Sequence, residues 1–260
     1  MNQSERRRVL IRTLLDEDAR YADIRIPLTA EGQKKLLRSL MNVRPPKEEN
    51  GAEFLRIEGE YLREAIREKG ITAADSLSPV RGQLCLWQGD ITTLAADGIV
   101  NAANAGMTGC YSPCHGCIDN CIHTYAGVEL RRDCARLMRE QGHEEETGRA
   151  KITAAYNLPA KYVLHTVGPI VAGGRPTAED RKLLASCYTS CLALAEENGL
   201  TSLAFCCIST GVFGYPAEEA AKVAVEAAET WLAERGSPIK VILNVFKDSD
   251  LAIYRSLFEK

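Results

Sequence analysis

The chain has 260 residues, of which 32 are Lys or Arg and 35 are Asp or Glu, giving a formal net charge of −3, and 45% of its residues are hydrophobic. These values are ordinary for a globular protein and exclude the disordered, fibrous and mucin-like classes. The near-neutral charge also argues against a nucleic-acid partner, because dedicated nucleic-acid binders usually carry a strongly basic face.

The first third of the chain differs in composition from the rest. Residues 1–80 contain 15 basic and 14 acidic residues, and all ten cysteines lie after residue 80. Apolar residues recur at helical intervals among these charges, which predicts helices over 4–20, 30–42 and 52–69, with a break at Pro45–Pro46. We therefore predict an N-terminal helical extension over 1–80 and one domain over 81–260.

After residue 80, strands and helices alternate. The alternation is typical of an α/β sandwich with helices on both faces of the sheet. In such folds ligands usually bind at the carboxyl ends of the strands. Predicted strands are Gln83–Gln88, Gly98–Asn101, Lys151–Ala155, Tyr162–Val167, Ser202–Ile208 and Ile239–Phe246; predicted helices are Ile118–Glu140, Pro176–Asn198, Ala217–Glu234 and Asp248–Phe258.

The sequence favours a cytoplasmic protein with no membrane partner. No apolar run approaches the ~20 residues that a membrane span needs, and Met1–Arg20 is too charged for a signal peptide. Cysteines in that compartment are reduced, so most of them should pack as small hydrophobic residues. We expect this of Cys85, Cys187, Cys191, Cys206 and Cys207.

The stretch 110–123 has a different character, with four cysteines and two histidines. Thiolates and imidazoles together in a reducing compartment are typical of a zinc site. His115 and Cys117 stand two residues apart in a loop and can converge on one ion. Cys110 can fold back as a third ligand, and Cys114 is the alternative. Three protein ligands would leave a fourth position open, as in catalytic zinc sites, whereas four would indicate a structural site.

Three loops at predicted strand ends also suggest ligand binding. Residues 209–216 follow a buried strand, and their glycines permit close backbone approach to a phosphate. In Gly89–Thr92, Asp90 can cap a helix or accept a hydrogen bond from a base. Asn101 and Asn104 close the next strand and can bind a ribose hydroxyl or stabilise a turn.

Together these features resemble the macrodomain family, which binds ADP-ribose. The resemblance implies a three-layer α/β/α sandwich with a mixed central sheet. It departs from ordinary macrodomains at 110–117, where cysteines replace a glycine-rich stretch, and there it resembles a zinc-containing microbial branch. The motifs that carry it are Gly89–Thr92, Ile99–Asn104, Ile118–His123 followed by Ala126–Gly127, Val163–Pro169 and Ser209–Gly214, in family order.

The resemblance also implies residue roles. Zinc ligands would be Cys110, His115 and Cys117, with Cys114 outside the set. Asn104 and Asp119 would be catalytic and would face the ribose that carries the protein. The remaining ADP-ribose contacts would be Asp90 and Ile91 at adenine, Phe246 stacked on adenine, and Ser209, Thr210, Gly211, Val212, Phe213 and Gly214 around the diphosphate.

By the same resemblance we expect a zinc-dependent hydrolase that removes mono-ADP-ribose from modified proteins. The alternative is a reader module that binds ADP-ribose, or ADP-ribosylated protein, without cleaving it. The zinc-containing branch is often encoded near a sirtuin-type ADP-ribosyltransferase and a lipoyl-carrier protein. A lipoyl-carrier protein modified by such a transferase is therefore one candidate substrate.

Overall fold

The computed structural model describes residues 1–259 as a layered assembly of helices around a six-stranded sheet. The helices are α1 (Gln3–Asp16), α2 (Ala30–Val43), α3 (Ala52–Lys69), α4 (Ile118–Ala126), α5 (Val128–Gln141), α6 (Ala178–Glu197), α7 (Ala217–Arg235) and α8 (Asp248–Phe258). The strands are β1 (Thr72–Ala73), β2 (Leu84–Gln88), β3 (Leu94–Ala95), β4 (Gly98–Ala103), β5 (Ala150–Ala154), β6 (Tyr162–Val167), β7 (Ser202–Phe205) and β8 (Lys240–Val245).

The main sheet is mixed and has the order β2-β8-β7-β4-β6-β5. Every neighbouring pair is parallel except β5 with β6, so only one edge strand is antiparallel. Strands β7 and β8 are buried along almost their whole length, as interior parallel strands require. The two-residue strands β1 and β3 form a separate parallel pair.

Helices cover both faces of the sheet. On one face α6 packs against β5, β6 and α7, and α7 packs against α8. On the other face α4 contacts β4 and α5 contacts β5, while α2 and α3 of the extension lie against α4. This arrangement confirms the predicted α/β/α sandwich with a mixed sheet and added N-terminal helices.

Two apolar clusters hold these layers. The extension has its own cluster of buried residues, formed by Leu10, Ile11, Leu14, Leu37, Leu40, Met41, Ile57, Tyr61 and Leu62. Ile66, near the end of α3, belongs instead to the main core. The last turn of α3 therefore packs with the later part of the chain, and the division at residue 80 stays a prediction.

The predicted helix 118–140 is wrong in one respect, because it is two helices. The first ends at Ala126, and Gly127 between the two helices has a φ of +97°, which is unfavourable for any residue with a Cβ atom. The first predicted helix also ends early, at Asp16, and is followed by a 3₁₀ turn over Ala19–Tyr21. The strand predicted over 202–208 ends at Phe205.

The cysteine expectations are largely confirmed. Cys85, Cys187, Cys191 and Cys206 are buried in the main core, and Cys207 is half-buried against it. Along residues 1–259, none of the helices combines the length and the apolarity that crossing a membrane would require.

Candidate functional site

The site lies along the edge of the sheet where the parallel strands end. Because β2, β8, β7, β4 and β6 are mutually parallel, their carboxyl ends meet at the same edge. The segments that leave this edge begin at Gly89 after β2, Asn104 after β4, Gly168 after β6, Cys206 after β7 and Phe246 after β8. The sheet topology thus brings the motifs that follow β2, β4, β6, β7 and β8 to one edge.

Asp90 is held at both carboxylate oxygens. Its Oδ1 accepts hydrogen bonds from the Thr92 backbone N–H at 3.0 Å and hydroxyl at 2.6 Å, so it caps the 3₁₀ turn over Ile91–Thr93. Its Oδ2 accepts from Nζ of Lys69, at the end of α3, at 2.8 Å. Burial would raise the pKa of Asp90, but the hydrogen bonds from Lys69 and Thr92 outweigh it and hold the pKa below its ordinary value.

Phe246 and Ile91 differ in accessibility. Phe246 follows β8 directly and is 72% exposed, so its ring is available for stacking. The Ile91 side chain is 1% exposed and belongs to the main core. At this end of the edge the structure offers an exposed aromatic ring and an anchored carboxylate, but not an accessible isoleucine side chain.

The loop 209–214 has an unusual backbone. Ser209 has a φ of +65° and Gly214 a φ of +71°. The loop is closed by a hydrogen bond from the Tyr215 N–H to the Ser209 carbonyl, and the Val171 N–H donates to the Phe213 carbonyl. Gly211 and Gly214 are exposed and Val212 is 80% exposed, so the loop backbone is open to a ligand.

Asn104 and Asp119 come together at the end of β4. The Asn104 side-chain amide donates to Asp119 Oδ2 at 3.4 Å and to the Gly109 carbonyl at 3.2 Å. Asp119 Oδ1 accepts from the Asn101 side-chain amide at 2.8 Å. Asp119 is buried, which raises its pKa to about 6 although the Asn101 hydrogen bond acts in the opposite direction. Two amides thus orient one buried carboxyl group.

Beneath Asp119 lies a buried group of His123, His165 and Cys134. His165 contacts the Asn101 amide through Nδ1 at 3.2 Å and the Thr153 hydroxyl through Nε2 at 3.0 Å. Burial lowers the pKa of His165 to about 4 and also lowers that of His123. Both rings are therefore neutral at pH 7. His165 connects to the Asp119 carboxyl group through Asn101, and His123 Nε2 lies 3.6 Å from Asp119 Oδ1.

The structure brings Cys110, His115 and Cys117 together. One ligand atom from each lies within 4.8 Å of the others, and Cys110 Sγ is 3.7 Å from His115 Nδ1. Cys117 caps α4, with its Sγ accepting from the Asn120 N–H. Burial, together with the nearby Cys110 sulfur and opposed by the Asn120 N–H, raises the pKa of Cys117 to about 12.

Cys114 is directed away from this group. Its Sγ lies 3.2 Å from the Ser39 hydroxyl and 3.4 Å from the Lys35 carbonyl, both in α2. Its backbone N–H donates to the Asn42 side chain at 2.9 Å. Cys114 therefore ties the loop to the extension through both its sulfur and its backbone N–H.

Two arginines fix the loop 109–117 to the extension. Arg38 of α2 donates 2.8 Å hydrogen bonds to the His115 carbonyl and to the Asn120 side chain. Arg131 of α5 donates to the Thr108 carbonyl, stacks on the ring of Tyr111, and reaches the carbonyls at the end of α2. The extension is thus part of the frame that holds the loop.

Sequence reasoning missed several of these positioning residues. Lys69 and Arg38 lie in a highly charged segment where no single charge stands out. Asn101 appears in a quoted motif but reads equally well as a turn former. Only long-range contacts show that Lys69 touches Asp90, that Arg38 touches the loop and that Asn101 touches Asp119.

The chain is similar to proteins of known family along most of its length. Residues 100–224 match the sequence model of the family described as Macro domain. A protein-ADP-ribose hydrolase of Treponema medium is 59% identical over 261 residues, covering 99% of each chain. A protein of Fusarium oxysporum f. sp. cubense, named a probable bifunctional ADP-ribose hydrolase/ADP-ribosyltransferase, is 41% identical over 85% of this chain and 40% of its own length. The crystal structure of a Trypanosoma brucei macrodomain in complex with ADP-ribose superposes with a TM-score of 0.65 at 30% identity, covering 85% of this chain and 94% of the other.

Proposed function

This chain belongs to the Macro domain family, and from that premise we propose that it is a hydrolase that removes mono-ADP-ribose from modified proteins and that zinc supports the reaction. The relative from Treponema medium, which matches along almost the whole chain, carries the name of that activity. The ligand would lie along the carboxyl edge of the sheet, with adenine at Asp90 and Phe246 and the diphosphate on the loop 209–214.

One observation carries the proposal. The Asn104–Asp119 pair stands 3.4 Å apart on the strand edge that bears the proposed adenine and diphosphate contacts. Asp119 is also two residues past Cys117, the cap of α4. A buried carboxyl group oriented by amides, next to a cluster of soft ligands, suits hydrolysis better than simple retention of a ligand.

The residues present fit zinc. Two thiols and one imidazole, each with a ligand atom within 4.8 Å of the others, form a donor set of the type that zinc prefers, with three protein ligands. When bound, zinc would supply a fixed positive charge that polarises oxygen atoms of the ribose or of a water.

The side chains around the ribose have distinct tasks. Asn104 would hold the sugar by a hydrogen bond, and Asp119 would orient a water towards the anomeric carbon and take its proton. The water oxygen bonds to that carbon as the bond to the protein side chain breaks, and the leaving atom gains a proton. Asn101 keeps the Asp119 carboxyl in place from below.

The test compares two cysteine variants. Cys117→Ala should abolish release of ADP-ribose from a mono-ADP-ribosylated protein and should also lose stoichiometric zinc by metal analysis. Cys114→Ala is the matched control, because its sulfur faces α2, and it should keep both. Full turnover by zinc-free wild type would refute the metal requirement.

A second experiment separates the hydrolase from a reader. Asp119→Asn should bind free ADP-ribose with nearly the wild-type Kd but release no ADP-ribose from the modified protein. Wild type that binds the modified protein tightly without any turnover would show a reader instead, and the hydrolase proposal would then be wrong.

For the target protein, we propose a lipoyl-carrier protein modified by a sirtuin-type transferase. The pairing of hydrolase and transferase is supported by the resemblance to the zinc-containing branch, which is often encoded near a sirtuin-type transferase, and by the name of the Fusarium relative, which includes both activities. ADP-ribosylated lipoyl-carrier protein should be cleaved with a higher kcat/KM than an unrelated ADP-ribosylated protein. Equal values would remove this target preference.

A further inference from the structure

The helical extension forms a groove with a volume of about 720 Å³ between α2 and α3. Both helices pack against α1 and against α4, and the space between them remains open. We call this space the α2–α3 groove. Its walls carry Lys34, Lys35 and Arg38 from α2, and Lys69 from α3. The residues that we assign to ADP-ribose binding do not line this groove.

The floor and rim of the groove differ in chemistry. Apolar side chains of the extension cluster, including Leu37 and Leu62, form part of the lining together with the ring of Tyr125 from α4. Basic side chains outnumber acidic ones around it: Arg7, Lys34, Lys35, Arg38 and Lys69 against Glu31 and Glu68. The groove therefore suits an occupant that is partly apolar and carries negative charge.

Most of these cations have no acidic partner. Among residues 1–259, only Lys69 of the five pairs with a carboxylate, that of Asp90. Lys34 and Lys35 are exposed side by side on α2. Arg38 donates to the His115 carbonyl, the Asn120 side-chain oxygen and the Cys121 sulfur, none of them a carboxylate, and its Nε is buried without a partner. Uncompensated positive charge around one cavity is a feature that an anionic partner would complement.

The groove adjoins the proposed catalytic loop. Cys114 lines it and belongs to the same loop as Cys110, His115 and Cys117. Arg38 also lines it and donates to the carbonyl of His115 at 2.8 Å. A polypeptide attached to the ribose beside Asp119 would leave the site near this loop, and the extension is the neighbouring surface.

We propose that the α2–α3 groove binds an acidic segment of the ADP-ribosylated protein, flanking the modified side chain. This inference rests on the proposed function and adds a basis for choosing among modified proteins. Binding would be driven by the unpaired cations on the rim and by apolar contact with the floor. It would increase kcat/KM for acidic targets without changing the chemistry at the ribose.

The probes are two synthetic peptides of equal length, each mono-ADP-ribosylated at the same central residue. One has Asp and Glu on both sides of that residue and the other has Ser and Gly. Wild type comprising residues 1–260 should cleave the acidic peptide with a kcat/KM about tenfold higher than that for the neutral peptide at low salt. Raising the salt from about 50 mM to about 500 mM should remove most of that preference, because screening weakens exposed charge pairs.

Two double charge reversals provide the comparison. Lys34→Glu/Lys35→Glu should abolish the preference for the acidic peptide and leave cleavage of the neutral peptide unchanged. Arg8→Glu/Arg12→Glu changes the charge by the same amount on exposed positions of α1 that do not line the groove, and it should keep the preference. Equal cleavage of both peptides by wild type, or equal effects of the two double variants, would overturn the proposal.

Binding of fluorescently labelled peptides, read by anisotropy, separates the two hypotheses. In one outcome, wild type cleaves neither peptide but binds the acidic one more tightly, and only Lys34→Glu/Lys35→Glu removes this difference. That result would support the groove proposal and contradict the hydrolase function. If both peptides are cleaved and bound alike, the hydrolase stands and the groove proposal is wrong.

Discussion

Glu58 gives a sharp test of how the extension is joined to the rest of the chain. It lies in α3 and is 1% exposed. Its Oε1 accepts a 3.1 Å hydrogen bond from the Val128 N–H, at the start of α5. A Cβ atom on Gly127 would stand 2.9 Å from its Oε2, so the carboxyl group sits directly against the α4–α5 junction.

The size of the pH-dependent change in the free energy of unfolding follows from the pKa of this carboxyl group. Burial raises it to about 8 from an ordinary value of 4.5, although the Val128 N–H acts in the opposite direction. A raised pKa means that the stabilisation is complete below pH 4.5, where folded and unfolded chains both hold the proton. It is lost as the pH rises towards 8, because the unfolded chain gives up its proton first. A pKa difference of about 3.5 between the folded and unfolded chain corresponds to an upper limit on the order of 5 kcal/mol, most of which falls between pH 5 and pH 8.

Glu58→Gln is neutral at every pH and keeps an oxygen for the Val128 N–H. We expect the free energy of unfolding of wild type to fall by up to ~4 kcal/mol relative to Glu58→Gln between pH 5 and pH 8. Urea titrations followed by circular dichroism at one-unit intervals would measure the difference. Glu68→Gln, at an exposed position of the same helix, should follow the wild-type curve. Parallel curves for wild type and Glu58→Gln would refute the reasoning.

Three other substitutions test separate parts of the structure. Phe246→Ala should raise the Kd for ADP-ribose by up to about tenfold in calorimetry, the usual worth of an aromatic stack, and an unchanged Kd would place adenine elsewhere. Gly214→Ala should cost about 1–3 kcal/mol and weaken ADP-ribose binding, because φ is +71° and the new Cβ would lie 2.9 Å from the Val171 carbonyl oxygen; wild-type stability would contradict this. Leu10→Ala should cost about 3 kcal/mol in urea unfolding, since the side chain is fully buried in the extension cluster, and a loss under about 1 kcal/mol would show that this cluster is loosely packed.

The sheet and the order of the site loops follow from local sequence patterns. Buried apolar runs such as Val241–Leu243 predict interior parallel strands, and the glycine after β2 and the asparagine after β4 predict ligand loops at those strand ends. Because parallel strands end at one edge, the sequence is enough to place Asp90, Asn104 and Phe246 at the same edge.

Other features depend on contacts between distant parts of the chain. The helical pattern runs through Gly127, so only the packing of Glu58 against the junction shows that two helices meet there. Among four cysteines in one short loop, spacing leaves open whether Cys110 or Cys114 joins His115 and Cys117. The deciding contact of the Cys114 sulfur is with α2, about 75 residues earlier in the chain. A pattern read along the sequence does not contain that information.

The extension therefore has a physical connection to the site that its composition alone does not indicate. The Arg131 guanidinium donates to the carbonyls of Met41, Asn42 and Arg44 at 2.7–3.1 Å, where the final turn of α2 leaves carbonyl groups without helical partners. The same side chain donates to the Thr108 carbonyl at 2.7 Å, immediately before the cysteine-containing loop. One buried cation thus satisfies the end of α2 and fixes the start of the loop, so neither can move without leaving polar groups unpaired. The spacing of the Cys110, His115 and Cys117 ligand atoms is consequently a property of both parts of the chain.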